Sequence, residues 1–120
     1  MKHLVALIAI AAVSCAAVSQ PRLQLGSGVH TFQHRFFEHP GMRSLKLTAR
    51  INGSHIALIN NEQSSVFPTG VVAEGTLMWH SQSRQWVIGS SDGDRDAVEV
   101  GGCSDGPEVI DLQGRVYWTC

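Results

Sequence analysis

The segment VHTFQHRFFEHPG, residues 29–41, concentrates side chains that could bind a metal ion or transfer a proton. It holds His30, His34, Glu38 and His39 among three phenylalanines. Imidazole and carboxylate groups are common ligands of zinc. His30 and His34 are four residues apart, which places them on one face of either a helix or a strand. Whether they could share an ion therefore depends on which element they belong to.

Helix and strand predict different distances for this pair. A helix rises about 1.5 Å per residue and would bring the two imidazoles within about 6 Å. A strand rises about 3.3 Å per residue and would separate them by about 13 Å, too far for one ion. Pro40 disfavours helical backbone at His39, and the Pro40-Gly41 turn leads into a strand pattern. We predict a strand with the phenylalanines in the core and the histidines near the surface or under a loop. A helix would leave His30, His34 and His39 as candidate ligands for zinc or copper.

The first nineteen residues predict an export signal. A short basic start precedes ten apolar residues, Leu4 to Val13, too few to span a bilayer as a helix. Small residues follow, so we expect cleavage before Gln20. Alternatively, residues 12–15 (AVSC) resemble the bacterial lipobox, in which Cys15 would be lipidated and would anchor the protein to a membrane. Both alternatives place the protein in the periplasm or outside the cell.

Residues 20–120 are enough for one compact domain but not for two. They carry eight Lys and Arg against ten Asp and Glu, a formal net charge of −2. No segment groups basic residues with interleaved aromatics, so nucleic-acid binding is not expected. We expect no cofactor, and we expect the partner to be a cell-envelope component or another secreted protein.

Three segments predict β-hairpins. In residues 45–60, Asn52-Gly53 fits a two-residue type I′ turn, which pairs Ile51 with Ser54 and gathers the aliphatic side chains on one face. His55 then lies on the other, solvent-facing side.

In residues 75–89, a loop at Ser81–Arg84 would pair Trp79 with Trp86, Leu77 with Ile88 and His80 with Gln85. The two tryptophans are interpreted as core. The alternative is a sugar-stacking platform, with Trp79, Trp86 and His80 as ligand-binding residues.

In residues 108–120, a turn at Asp111–Gly114 would place its glycine in the left-handed conformation. The return strand alternates Val116, Trp118 and Cys120 with Arg115, Tyr117 and Thr119. We expect the first set to face inward.

Two catalytic or metal-binding motifs are present only in part. Residues 89–93 (GSSDG) match the nucleophile elbow of hydrolases, but no helical pattern and no histidine follow them. Asp92, Asp94 and Asp96 alternate as in a calcium loop, but the required glycine and final glutamate are replaced. An acidic solvated turn is the simpler interpretation.

The three cysteines predict one disulfide. Cys15 is either removed with the signal or lipidated, which leaves Cys103 and Cys120. An oxidising compartment lets a bridge between them persist.

The sequence therefore predicts a single, mostly β domain over residues 20–120, a small antiparallel barrel or sandwich of six to nine short strands. We expect a binding or interaction module of the cell envelope. The alternatives are a metal-dependent enzyme using His30, His34 and His39, and a structural envelope lipoprotein.

Overall fold

The computed structural model describes residues 20–42 and 44–120, which form seven strands and one short 3₁₀ helix. The predicted signal over residues 1–19, with Cys15, lies outside the described residues. The strands are β1 Gly28–Phe36, β2 Lys46–Asn52, β3 His55–Asn60, β4 Gly70–His80, β5 Gln85–Gly89, β6 Glu108–Asp111 and β7 Val116–Thr119, and the 3₁₀ helix is Asp92–Asp96. The predicted mostly β fold with six to nine strands is confirmed.

The seven strands close into a barrel in chain order. Each consecutive pair is antiparallel, and β1 pairs with β7 in parallel. The parallel pair follows from the odd number of strands: after six reversals of direction, the seventh strand runs the same way as the first. Closure removes the free edges that an open sheet would expose. Of the two predicted architectures, the structure is the barrel.

The two ends of the barrel differ. At one end, which we call the hairpin end, lie the short turns after β2, β4 and β6 and the N-terminal segment 20–27. At the other, the disulfide end, lie the longer connections 37–45 and 61–69 and the C-terminal Cys120. The connection 90–107 also leaves from the disulfide end.

The barrel interior is filled by one face of each strand. Its buried apolar residues are Phe32, Leu47, Ala49, Ile51, Ile56, Leu58, Leu77, Trp86, Ile110, Leu112 and Tyr117. A second, smaller cluster of Met78, Val87 and Val109 lies on the outer side of β4–β6, where Val100 and Trp118 pack against it. Both faces of this part of the sheet are therefore apolar.

The first hairpin turns one residue later than predicted. Asn52 pairs with His55 and Ile51 with Ile56, so the central turn residues are Gly53 and Ser54. Gly53 has φ +61° and Ser54 does not have positive φ, which fits a type II′ turn with glycine first. Moving the turn by one residue shifts the pairing by two, so the aliphatic side chains still face inward. His55 is exposed, as expected.

The second hairpin has the predicted register. Trp79 pairs with Trp86, Leu77 with Ile88 and His80 with Gln85. Its four-residue loop ends at Arg84, which takes φ +55°.

The third hairpin corrects two predictions. Its loop is residues 112–115, and the left-handed residue is Arg115, with φ +55°, instead of Gly114. The Asp111 carboxylate accepts the Gly114 amide at 2.8 Å and fixes the turn without a left-handed glycine. Tyr117 is the residue that faces inward, with 2% exposure, and Trp118 packs on the outer cluster. The predicted inward face of β7 is therefore wrong.

Candidate functional site

The histidines of the opening segment lie in different environments. His30 and His34 both lie on β1, so the predicted strand is confirmed. His30 hydrogen-bonds through Nε2 to the Gly26 carbonyl at 2.8 Å. His39 follows in the exposed turn after β1. Strand geometry keeps His30 and His34 apart, and the hydrogen-bond partners of both imidazoles are groups other than His39.

His34 is buried inside the barrel, under the connections 37–45 and 61–69, which is the second of the two predicted environments. Its Nε2 atom lies 2.7 Å from the Thr119 hydroxyl, and its Nδ1 atom hydrogen-bonds the Ser44 hydroxyl. The rings of Phe36 and Phe67 pack edge-on against the imidazole, with centroid distances of 4.6 and 4.7 Å. This burial lowers the pKa of His34 to about 4. The side chain is thus a neutral, fully bonded part of the core.

The histidines do not form a group of metal ligands. Within residues 20–42 and 44–120, the one set of three potential ligand atoms close enough to share an ion is Glu38, Cys103 and Cys120. The two cysteines of that set form the predicted disulfide, with Cα atoms 4.7 Å apart. The Glu38 carboxylate lies 3.3 Å from the Cys103 sulfur. Sulfurs bonded to each other are not thiolates, so this set is a bridge with a neighbouring carboxylate.

The tryptophan pair of β4 and β5 lies largely in the core. The two rings meet edge to face with centroids 5.5 Å apart. Trp86 is 7% exposed, and the neighbouring Trp79 is partly exposed.

His80, the third residue of the predicted ligand-binding group, has a structural role. It is 2% exposed, and its Nε2 atom donates to the Ala97 carbonyl at 2.7 Å. Its Nδ1 atom accepts from the Ser83 hydroxyl at 2.7 Å. His80 therefore fastens residue 97 to the hairpin end of β4.

The connection 90–107, which we call the strap, crosses the outer side of the sheet. It begins with a tight turn in which the Asp94 carboxylate accepts a hydrogen bond from the Ser90 amide at 2.7 Å. This backbone hydrogen bond lowers the pKa of Asp94. It reaches His80 at Ala97 and returns to the disulfide end at Cys103. The predicted acidic turn over residues 92–96 is thus a short 3₁₀ helix that starts the strap.

Glycine lets the strap lie close to the sheet. Gly101 has φ +62°, and a Cβ atom built there would lie 2.6 Å from a methyl group of Val109. Its amide donates to the Pro107 carbonyl at 2.8 Å. A larger residue at position 101 would be strained by its backbone and would also collide with the sheet.

A groove of about 870 Å³ lies beside the strap, and we call it the outer groove. Its floor includes Val109 and Trp118 from the outer side of β6 and β7. One wall is the turn after β1, with Phe37 and Pro40. The other is the strap, and its lining residues are Glu99, Val100, Gly101, Gly102, Cys103 and Ser104. The disulfide ties this second wall to the end of β7.

Two aromatic side chains of the outer groove are the residues that sequence reasoning missed. Phe37 is 58% exposed, and its ring lies beside Gly102, where an added Cβ atom would be 3.4 Å away. Trp118 is partly exposed on the outer cluster. Phe37 was predicted to lie in the core with the other phenylalanines of its segment, which is wrong, because β1 ends at Phe36 and leaves Phe37 exposed in the turn that follows. Alternation assigned Trp118 to the inner face, which is wrong, because both faces of β7 carry large apolar residues.

No helix among the described residues is long and apolar enough to cross a membrane. Comparisons of the chain with protein-family models, with curated proteins and with solved structures give no match.

Proposed function

We propose that this protein is a small binding module of the cell envelope, periplasmic or secreted, and that the outer groove is its ligand site. The observation that carries the proposal is the exposure of Phe37 beside Trp118 in a groove of about 870 Å³. Ligand sites in proteins are typically concave and largely apolar, with a few polar groups that orient the ligand. The outer groove has this composition.

The chemistry of the groove favours binding over catalysis. Glu99 is the one carboxylate that lines it in the described part of the chain, and no imidazole lines it. Nucleophilic catalysis typically needs a nucleophile with an activating base within hydrogen-bond reach. A single carboxylate on the strap is better suited to orienting a ligand than to catalysing its conversion.

The rigid construction of both walls supports the same function. The strap is held at Ala97 by His80 and at Cys103 by the disulfide. The opposite wall follows directly from β1. A site whose walls are fixed before the ligand arrives loses less entropy on binding.

The proposed location rests on the predicted signal and agrees with the disulfide, since such bridges persist in oxidising compartments. An anchor at Cys15 remains the alternative to free secretion. Under that alternative the same groove would act at a membrane surface.

The test is a binding screen of residues 20–120 against defined saccharides, peptides and fatty acids, with backbone amide NMR shifts as the readout. We expect one class of probe to shift the amides of residues 37–39 and 99–104. Phe37→Ser should abolish these shifts without unfolding the protein, because the side chain is already 58% exposed.

Val71→Ser is the matched control, since Val71 is 56% exposed and does not line the groove. It should bind as the wild type does. Shifts confined to the 61–69 connection, or equal losses in both variants, would contradict the proposed site.

A further inference from the structure

The outer groove continues into a second pocket at the hairpin end. This pocket has a volume of about 380 Å³ and shares Gln85, Val109 and Trp118 with the outer groove. Because the two adjoin at these residues, we treat them together as the joined groove, whose lining includes Cys103 of the disulfide and Arg84 of the loop after β4. Its length suits a chain-like ligand better than a compact one.

The second pocket combines aromatic and uncharged polar groups. All three tryptophans of the chain line it, with Trp79 and Trp118 partly exposed. Three glutamines, Gln24, Gln85 and Gln113, add carboxamide groups from exposed positions. A carboxamide both donates and accepts hydrogen bonds, so it can match a hydroxyl in either role.

The charges of this pocket balance. Arg84 contributes the one cation and Asp111 the one anion among its lining residues in the described chain. The Asp111 carboxylate is already engaged by the Gly114 amide. With Glu99 of the outer groove, the joined groove is lined by one cation and two anions, so it has no cluster of like charge that would select a strongly charged ligand.

The barrel topology disfavours an extended peptide bound as an added strand. Strand addition requires a free sheet edge with unpaired backbone groups. Here β5, β6 and β7 are each paired on both sides. Recognition at the joined groove must therefore come from side chains and from the backbone of the connections that line it.

We infer that the joined groove binds a neutral saccharide chain, an inference that rests on the proposed function and names its ligand class. Sugar rings present apolar C–H faces that can pack on Trp79, Trp118 and Phe37. Their hydroxyls can pair with the carboxamides and with the Arg84 guanidinium. Arg84 also takes the uncommon backbone φ of +55° at the mouth of the pocket.

The chain supplies a matched pair of variants for the test. Arg84 and Arg115 both end four-residue hairpin loops and both have φ +55°, but only Arg84 lines the joined groove. Replacing either by glycine relieves the same backbone strain. Arg84→Gly and Arg115→Gly should therefore both unfold at or above the wild-type temperature, and they should differ only in binding.

The experiment uses residues 20–120, which contain the whole barrel and its disulfide. The probes are linear hexasaccharides of β-1,4-linked glucose and of β-1,4-linked N-acetylglucosamine, titrated by calorimetry and tryptophan emission. We expect a Kd of about 1 mM or tighter for at least one of them. Arg84→Gly should weaken binding about tenfold, as expected for a lost hydrogen bond from a charged donor, while Arg115→Gly binds as the wild type does.

Other outcomes separate this inference from the proposed function. Binding of a proline-rich peptide that depends on Phe37, without saccharide binding, would overturn the inference and leave the binding function standing. Saccharide binding that Arg84→Gly and Gln113→Ala both leave unchanged would also overturn it. If neither the saccharides nor the peptide binds, the result contradicts both this inference and the proposed binding function.

Discussion

The Nε2 atom of His34 lies 2.7 Å from the Oγ1 atom of Thr119, and this hydrogen bond joins β1 to β7 inside the barrel. The other ring nitrogen bonds the Ser44 hydroxyl. A neutral imidazole donates from one nitrogen and accepts at the other, and hydroxyls can serve in either role. Both hydroxyls could also accept from a protonated imidazole, so it is burial that favours the uncharged histidine in this closing strand pair.

Acidification should destabilise the protein because of this histidine. Burial lowers the pKa of His34 from 6.5 to about 4. As the pH falls, the unfolded chain takes up the proton near pH 6.5, but the folded protein does so only near pH 4. The stability that His34 contributes is thus fully present above pH 6.5 and is lost between those two values. Urea unfolding across this range should show a loss of about 3 kcal/mol.

Two variants isolate the effect of His34. His34→Gln has no imidazole and should lose most of the pH dependence in this window, although it is less stable overall. His55→Gln removes an exposed imidazole from the outer side of the barrel and should retain the wild-type slope. Equal slopes in the wild type and His34→Gln would contradict the assignment.

Zinc and cobalt should not bind at His30 and His34 together. The pair lies on one strand, and both nitrogens of His34 are hydrogen-bonded. Titration of either metal into residues 20–120, followed by calorimetry and cobalt absorbance, checks this. Micromolar binding that disappears in both His30→Ala and His34→Ala would contradict this prediction and support the alternative of a metal-dependent enzyme.

Trp86→Ala should cost about 3 to 5 kcal/mol of unfolding free energy, the usual range for a buried large aromatic residue. Trp86 is 7% exposed and packs in the main core. Chemical denaturation measures the change. Val29→Ala is the control, since Val29 is 69% exposed and its truncation should change stability by less than about 0.5 kcal/mol. A Trp86→Ala protein that keeps wild-type stability but loses glycan binding would instead assign Trp79 and Trp86 to a ligand site.

Reduction of the disulfide between Cys103 and Cys120 should destabilise the barrel by about 3 kcal/mol, the chain-entropy value for a loop of this size. It should also free the strap at its disulfide end and weaken binding at the outer groove. Intact mass should rise by two hydrogens on reduction of a monomer. The Cys103→Ser, Cys120→Ser double variant should reproduce both effects without reductant. Two titratable thiols in the oxidised native protein would rule out the bridge.

Local patterns in the sequence were enough for several elements. Alternation and turn residues predicted a mostly β domain and the register that pairs Trp79 with Trp86. The backbone preference before Pro40 favoured the strand that holds His34. Elimination left Cys103 and Cys120 as the bridged pair. Each of these depends on interactions between near neighbours or on a simple count, which is why the sequence alone could determine them.

The tertiary structure decided what depends on distant segments meeting. The parallel pairing of β1 with β7 brings together segments at opposite ends of the domain, and no local signal encodes it. Tyr117 faces inward and Trp118 outward. The strap packs on the outer side of the sheet, so apolar residues occur on both faces of β7. Alternation of apolar and polar residues therefore does not show which face is the inner one. The outer groove forms where the strap, the turn with Phe37 and β7 meet. These segments are far apart in the chain, so the sequence alone could not predict which residues line it.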